Sequence, residues 1–229
     1  PFPQGSKIQK NNLRVGMFSG CIMDVSEEII HNSTLTLLRY LGCEVYIPED
    51  QNCCGALHVH SGDRKTSRKL ALENFNAFKS FDLDAIITNA AGCGAQLKEY
   101  NLLFSEKNLK ITKNFSVFEE KIIDIMEFIY IHQDRLQILD WRKDEETILY
   151  DAPCHLIHAQ QVDKNPQKIL SSLPGVTLEP IEESEWCCGS AGIYNLSQPE
   201  LSSAILSRKT QSIYNALNNF SNVTTLVTG

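Results

Sequence analysis

Two Cys-Cys-Gly triplets, Cys53-Cys54-Gly55 and Cys187-Cys188-Gly189, constrain this chain more than any other feature. Each has a lone cysteine at nearly the same distance upstream, Cys21 and Cys154, and the first has a further cysteine, Cys93, downstream. Seven of the eight cysteines thus fall into one duplicated pattern, and only Cys43 stands outside it. Adjacent cysteines make a disulfide poorly, because neighbouring thiols cannot easily reach each other. They hold a polynuclear metal centre well, because each thiolate can reach a different metal atom. Soft thiolates select iron–sulfur clusters, zinc or cuprous copper.

With 229 residues, 42% of them hydrophobic, the chain can bury one large core or two modest ones. A disulfide framework suits small secreted chains. At this size, with regular helix and strand patterns, reduced metal-binding thiols in a cytosolic protein are the better reading. No apolar run reaches the roughly 18 residues of a membrane span, and no secretory signal precedes the fold. The net charge of −7 and the lack of a Lys/Arg cluster argue against a nucleic-acid partner. Both ends look cut: the chain starts at Pro1 without an initiator Met and stops at Gly229, just after an apolar run.

Strand and helix patterns alternate. Leu13 to Phe18 reads as a strand leading to Cys21. A helix follows from about Ser26, with Ile29, Ile30, Leu37, Leu38 and Leu41 as its buried face and Gly42 as its end. Cys43 to Ile47 reads as a second strand, and Pro48 to His60 as the loop carrying the first triplet. Arg64 to Phe81 reads as an amphipathic helix, with Leu70, Ala71, Phe75 and Phe78 inward. Asp84 to Thr88 is the third strand, which delivers Cys93 on a turn before a helix near Ala95 to Leu103. The second half repeats the order. Thr147 to Tyr150 is a strand ending at Asp151-Ala152-Pro153-Cys154, followed by a helix through Ile169 and Leu170. Val176 to Leu178 is a strand before the second triplet, Pro199 to Leu217 a helix, and Val223 to Val227 the last strand. Phe115 to Ile131 reads as a linking helix and Trp141 to Glu146 as a charged connector.

This order implies an α/β fold of two tandem units, each a small parallel sheet flanked by helices. The units are expected at residues 11–108 and 147–229, joined by 109–146, with the second unit truncated. Ligands of such sheets gather beyond the carboxyl ends of the strands, and every cysteine station follows a strand. The repeat also matches Thr228 to Thr88, so the counterpart of Cys93 is expected about four residues beyond Gly229.

The pattern Cys21…Cys53-Cys54-Gly55…Cys93, repeated as Cys154…Cys187-Cys188-Gly189, resembles the cysteine-rich CCG domain family. That family includes heterodisulfide reductase subunits, lactate-utilisation proteins and the iron–sulfur subunit of glycolate oxidase. Asn52-Cys53-Cys54-Gly55-Ala56-Leu57-His58, Asn89-Ala90-Ala91-Gly92-Cys93-Gly94, Cys154-His155-Leu156-Ile157-His158 and Trp186-Cys187-Cys188-Gly189-Ser190-Ala191-Gly192 are most similar to the last of these. The resemblance implies electron transfer: a flavoprotein subunit oxidises a 2-hydroxy acid, and the iron–sulfur subunit passes electrons onward to a quinone or another acceptor. It implies a cytoplasmic protein, with the inner membrane face as the alternative. Two parts of the family pattern are missing here, the ferredoxin-like segment at the amino end and the last cysteine of the second motif. Position 96 is Gln96 where the heterodisulfide reductase pattern carries a cysteine. Four cysteines at the first site make an ordinary [4Fe–4S] cluster the simpler expectation over a non-cubane one.

The ligand set on this reading is Cys21, Cys53, Cys54 and Cys93 at one site, and Cys154, Cys187 and Cys188 at the other. Cys43 reads as a buried core cysteine. His58, His60, His155 and His158 lie near the cysteine loops and read as hydrogen-bonding neighbours more than as ligands. Asp151 reads as the anchor of the turn before Cys154, and Gly55, Gly92 and Gly189 as servants of tight loops. Lys98 and Glu99 read as helix surface. No nicotinamide or flavin glycine fingerprint follows a strand, so the chain alone holds no complete active site. Two other readings stand: a heterodisulfide or lactate-utilisation relative on the same scaffold, and a zinc-stabilised interaction module without a redox role.

Overall fold

Strand and helix segments alternate along the described residues and build two parallel sheets. A computed structural model describes residues 12–104, 109–138, 145–220 and 222–228. The order is β1 (Arg14–Phe18), α1 (Ile22–Ser26), α2 (Glu28–Tyr40), β2 (Glu44–Tyr46), α3 (Ala56–His60), α4 (Arg64–Lys79), β3 (Ala85–Thr88) and α5 (Ala91–Leu97). A 3₁₀ turn at Tyr100–Leu103 precedes α6 (Leu109–Glu119), β4 (Ile122–Asp124) and α7 (Ile125–Ile131). After a second 3₁₀ turn at Gln133–Ile138 come β5 (Glu146–Asp151), a π-helical turn at His155–Ala159, α8 (Lys164–Ser172) and β6 (Val176–Glu179). The chain closes with α9 (Tyr194–Ser197), α10 (Pro199–Asn219) and β7 (Val223–Thr228).

Every strand pair is parallel. The first sheet has the order β2-β1-β3-β4 and the second β6-β5-β7. The first strand of each half is therefore central, and the chain leaves it to opposite sides, which opens a crevice at the carboxyl ends. The registers match: Phe18 pairs with Thr88, and Asp151 pairs with Thr228. Thr228 thus holds in the second sheet the place that Thr88 holds in the first, as the repeat predicts. Gly229 lies outside the described residues, as do Asn11, Asn108 and most of the expected connector from Trp141.

Side chains of the first sheet alternate between two cores. Phe18 and Ile86 face a layer of Phe78, Leu97, Tyr100, Phe115 and Phe118. Val15, Ala85 and Ile87 face Leu38, Leu41, Phe128 and Ile129, with Cys43 among them. Burial on both faces is what a central parallel strand needs, and it matches the apolar runs of β1 and β3. Ile169 of α8 joins the second core, so the two halves share apolar packing.

Four expectations need correction. The linking helix over Phe115–Ile131 does not form: β4 interrupts it and adds a fourth strand beside β3. A short helix, α1, stands ahead of the one expected from about Ser26, which forms as α2. The inward face expected for α2 is wrong in part, because Ile29 and Ile30 are exposed while His31 and Thr34 are buried. The loop after β2 contains α3, and the helix after β3 starts at Ala91, before Cys93 and not after it. Among the described residues no helix is long and apolar enough to cross a membrane.

Candidate metal centre

The first cysteine site forms where three adjacent strands end. Cys21 follows β1, leaving through Gly20 at φ +74°, and sits just ahead of α1. Cys53 and Cys54 lie after β2, and Cys93 lies in the first turn of α5, after β3. All eight cysteines are free thiols. The sulfurs make a continuous series of contacts: Cys21 with Cys53, Cys53 with Cys54, and Cys54 with Cys93. Cys93 also feels the charges of Cys21 and Cys53. Cys43 takes no part; it is buried near Asp84 and Arg135, and burial pushes its thiol up to about 11.

Crowding of thiols shifts their acidity. Burial raises Cys21, and the hydrogen bond with Cys53 adds to it. The bond to Cys54, then burial, pushes Cys53 up strongly. Cys54 is held down by Cys53, but contact with Cys93 and burial prevail and push it up to about 12. Cys93 is lowered by the bond from Cys54 against the effect of burial. Cys21, Cys53 and Cys54 therefore hold their protons at neutral pH in the metal-free protein, and metal binding must displace them.

The triplet loop is fixed by polar groups behind it. Gly55 has φ +84°, a left-handed conformation suited to glycine, and its N–H lies 3.4 Å from Cys53 Sγ. Asn74 of α4, fully buried, accepts from Asn52 N at 2.7 Å and donates to Cys53 O at 3.0 Å. It also donates to Tyr100 Oη at 2.9 Å, which in turn donates to Cys54 O at 2.9 Å. Burial holds the Tyr100 phenol well above its ordinary range, so it stays a donor. Tyr100 stacks on Phe118 at 6.0 Å between ring centres and meets Phe115 edge-on.

The second site repeats this plan. Cys154 is in contact with Cys187 and feels Cys188; burial, then those two neighbours, raises its thiol. Gly189 has φ +80°, and its N–H lies 3.3 Å from Cys187 Sγ. A Cβ there would fall 2.6 Å from Ser202 O, so glycine is required twice over. Ser202 Oγ donates to Gly189 O at 2.8 Å. Lys209, two helical turns further along α10, reaches the backbone ahead of Cys187. In the first half Ser67 and Asn74 stand two turns apart on α4 in the same relation to their triplet. Gly92, expected to serve a tight loop, is instead an ordinary helical residue of α5 with open space around it.

The two sites approach one seam. The helix carrying Cys93 packs against the turn that follows Cys154. Gln160 donates to Ala91 O at 2.8 Å, and its amide lies where a Cβ on Gly94 would stand. Gly192, after the second triplet, lies against His60, after the first. His155 Nδ1 is 3.6 Å from Cys154 Sγ, His58 faces Asp63 at 3.7 Å, and His158 is exposed. Lys98 is half-buried and pairs with Glu127 at 3.7 Å, while Glu99 is exposed. His31, Asn74 and Lys209 are absent from the residues that the sequence singles out. Only Asn74 and Lys209 carry a signal there, their matching distance from Ser67 and Ser202.

The donor set suits a thiolate-bound cluster. Among the described residues, no three His, Cys, Asp or Glu side chains are drawn up around one point where a single ion would sit. A cluster takes its thiolates at separate irons, and the pairwise contacts of the four sulfurs are compatible with that.

A profile of the CCG cysteine-rich domain matches residues 15–98 and again 148–226. The chain is 39% identical over 199 residues to the probable glycolate oxidase iron-sulfur subunit of Bacillus subtilis, covering 86% of this chain and 44% of that protein. It is 30% identical over 203 residues to the glycolate oxidase iron-sulfur subunit of Escherichia coli, covering 87% and 49%. It is 27% identical over 200 residues to lactate utilization protein A of an Exiguobacterium strain, covering 87% and 80%. The chain spans less than half the length of the first two relatives.

Proposed function

Since the chain belongs to the CCG cysteine-rich domain family, we propose that it is an electron-carrying iron–sulfur unit of a complex that oxidises a 2-hydroxy acid, glycolate in the first instance. One observation carries the reading: the contact series Cys21–Cys53–Cys54–Cys93 at the carboxyl ends of three adjacent parallel strands. Four cysteines are the usual ligand set of a [4Fe–4S] cluster. When bound, such a cluster supplies one-electron transfer without proton chemistry of its own.

The chain's residues would do the rest. Cys21, Cys53, Cys54 and Cys93 would hold one cluster, and Cys154, Cys187 and Cys188 would contribute to a second. The N–H groups of Gly55 and Gly189 would stay on the sulfurs of Cys53 and Cys187, a contact that tunes cluster potential. The seam between α5 and the turn after Cys154 favours electron passage between the sites. The flavoprotein that oxidises the acid, a ferredoxin-like domain and the quinone or other acceptor would be partners. A cytoplasmic setting, free or at the inner membrane face, fits this role. A zinc-only module ranks lower, because the glycolate oxidase relatives that the chain resembles are named iron-sulfur subunits.

The test is to mix the iron-loaded protein anaerobically with a flavoprotein 2-hydroxy-acid dehydrogenase and to add glycolate or L-lactate. Bleaching of the cluster's visible absorption by glycolate supports the reading. Bleaching by lactate alone moves the substrate to that of the lactate-utilisation relative. No bleaching, with a cluster that dithionite does reduce, removes the 2-hydroxy-acid role.

A further inference from the structure

His31 is buried on α2 while its neighbours Ile29 and Ile30 face outward. Its Nε2 lies 3.0 Å from the carbonyl oxygen of Ser19, two residues before Cys21. A carbonyl only accepts, so Nε2 carries the proton and donates. In the neutral ring Nδ1 is then an acceptor, and it lies 3.1 Å from Asn89 Nδ2, which donates to it. Asn89 Oδ1 accepts from Thr34 Oγ1 at 3.2 Å. The bonds run in one direction, from Thr34 through Asn89 and His31 to Ser19. Asn89 stands between β3 and α5, in the loop that leads to Cys93.

We propose that His31 is a positioning residue of the first thiol site. It ties the loop leaving β1 to the loop leaving β3, and so fixes the separation of Cys21 from Cys93. Those two are the ends of the thiol series. Cys53 and Cys54 are held together by the chain itself, whereas Cys21 and Cys93 come from strands far apart in sequence and need a brace. Hydrogen bonds that orient metal ligands without touching the metal are worth about 10–100-fold in metal affinity. The inference rests on the iron–sulfur reading above.

The experiment uses the full chain carrying Cys154→Ser and Cys187→Ser, so that only the first site takes up iron. His31→Leu removes both hydrogen bonds. His31→Gln keeps a donor and an acceptor at about the spacing of the ring nitrogens. After anaerobic loading, iron loss to a chelator is timed and the EPR spectrum of the reduced centre is recorded. His31→Leu is expected to lose iron about 10–100-fold faster, with a changed spectrum, and His31→Gln to restore both to near the parent. Asn89→Ala, which removes only the Nδ1 partner, is expected to fall between them and serves if the Leu variant does not fold. A Leu variant with the parent's loss rate and spectrum overturns the inference. So does a Gln variant as labile as Leu while its metal-free form melts with the parent. A parent that takes up no iron overturns the iron–sulfur reading first, and this inference with it.

Discussion

Lys209 Nζ lies 2.5 Å from Asp151 Oδ1, joining the middle of α10 to the last residue of β5. The same ammonium donates to Ser184 O at 2.6 Å and Trp186 O at 2.9 Å. One buried cation thus holds the loop before Cys187 and the strand end before Cys154. The contact with Asp151 is ionic; that oxygen accepts no aligned hydrogen bond. Removing one partner of a buried pair costs about 3–5 kcal/mol, while replacing both by apolar groups can cost little. Lys209→Met should therefore lower stability to urea by that order, and adding Asp151→Leu should recover most of it. A single variant within about 0.5 kcal/mol of the parent, the range of ordinary surface changes, would mean that the pair holds nothing.

Tyr100 and Asn74 hold the first triplet without charge. Tyr100→Phe leaves the carbonyl of Cys54 and one N–H of Asn74 unpaired in the interior. The expected cost is about 1–3 kcal/mol. Asn74→Leu breaks three bonds at once and should cost more, with a larger gain in trypsin cleavage at the lysines and arginines of α4, which packs behind the triplet. Equal melting of Tyr100→Phe and the parent would count against this role for the two residues.

The strand–helix alternation, the parallel sheets and the placing of each cysteine station after a strand were legible, because a parallel α/β chain sends every strand end to one edge. Spacing along the sequence then becomes convergence in space. β4 was not legible: Ile122-Ile123-Asp124 is three residues long, and apolar residues on both sides continue a helical period through it. His31 and Lys209 were not legible because a polar residue on a helix reads as solvent-facing. Their burial is decided by Asn89, Asp151 and the loop at Ser184, which reach them only in the folded chain.

Asp124 carries the main pH dependence expected of the fold. Burial, more than the nearby Glu127 and against Lys98 and the Met126 N–H, raises its carboxyl from 3.8 to about 6. The raised value means that the folded form holds the proton more tightly than the unfolded one. The resulting stability is complete below about pH 4 and is lost as pH rises through about 6. Asp124→Asn keeps the cap on Met126 N, since Asn caps as well as Asp. It should stabilise the protein at pH 7.5 by roughly 1–3 kcal/mol, because each tenfold change in proton affinity is worth about 1.4 kcal/mol. The advantage should shrink towards pH 4.5. Urea unfolding of both proteins across that range checks it, and an advantage that does not change with pH would refute the assignment.

The most direct measurement is iron and acid-labile sulfide per chain after anaerobic reconstitution, for the parent and for serine variants of single cysteines. Equal iron and sulfide are predicted in a coloured parent, about four of each for every complete [4Fe–4S] site. Cys21→Ser, Cys53→Ser, Cys54→Ser and Cys93→Ser should each lose the first site's share. Cys43→Ser should lose none, because Cys43 sits in the other core. A colourless protein holding zinc without sulfide, or iron content that falls as much for Cys43→Ser as for Cys54→Ser, would contradict it.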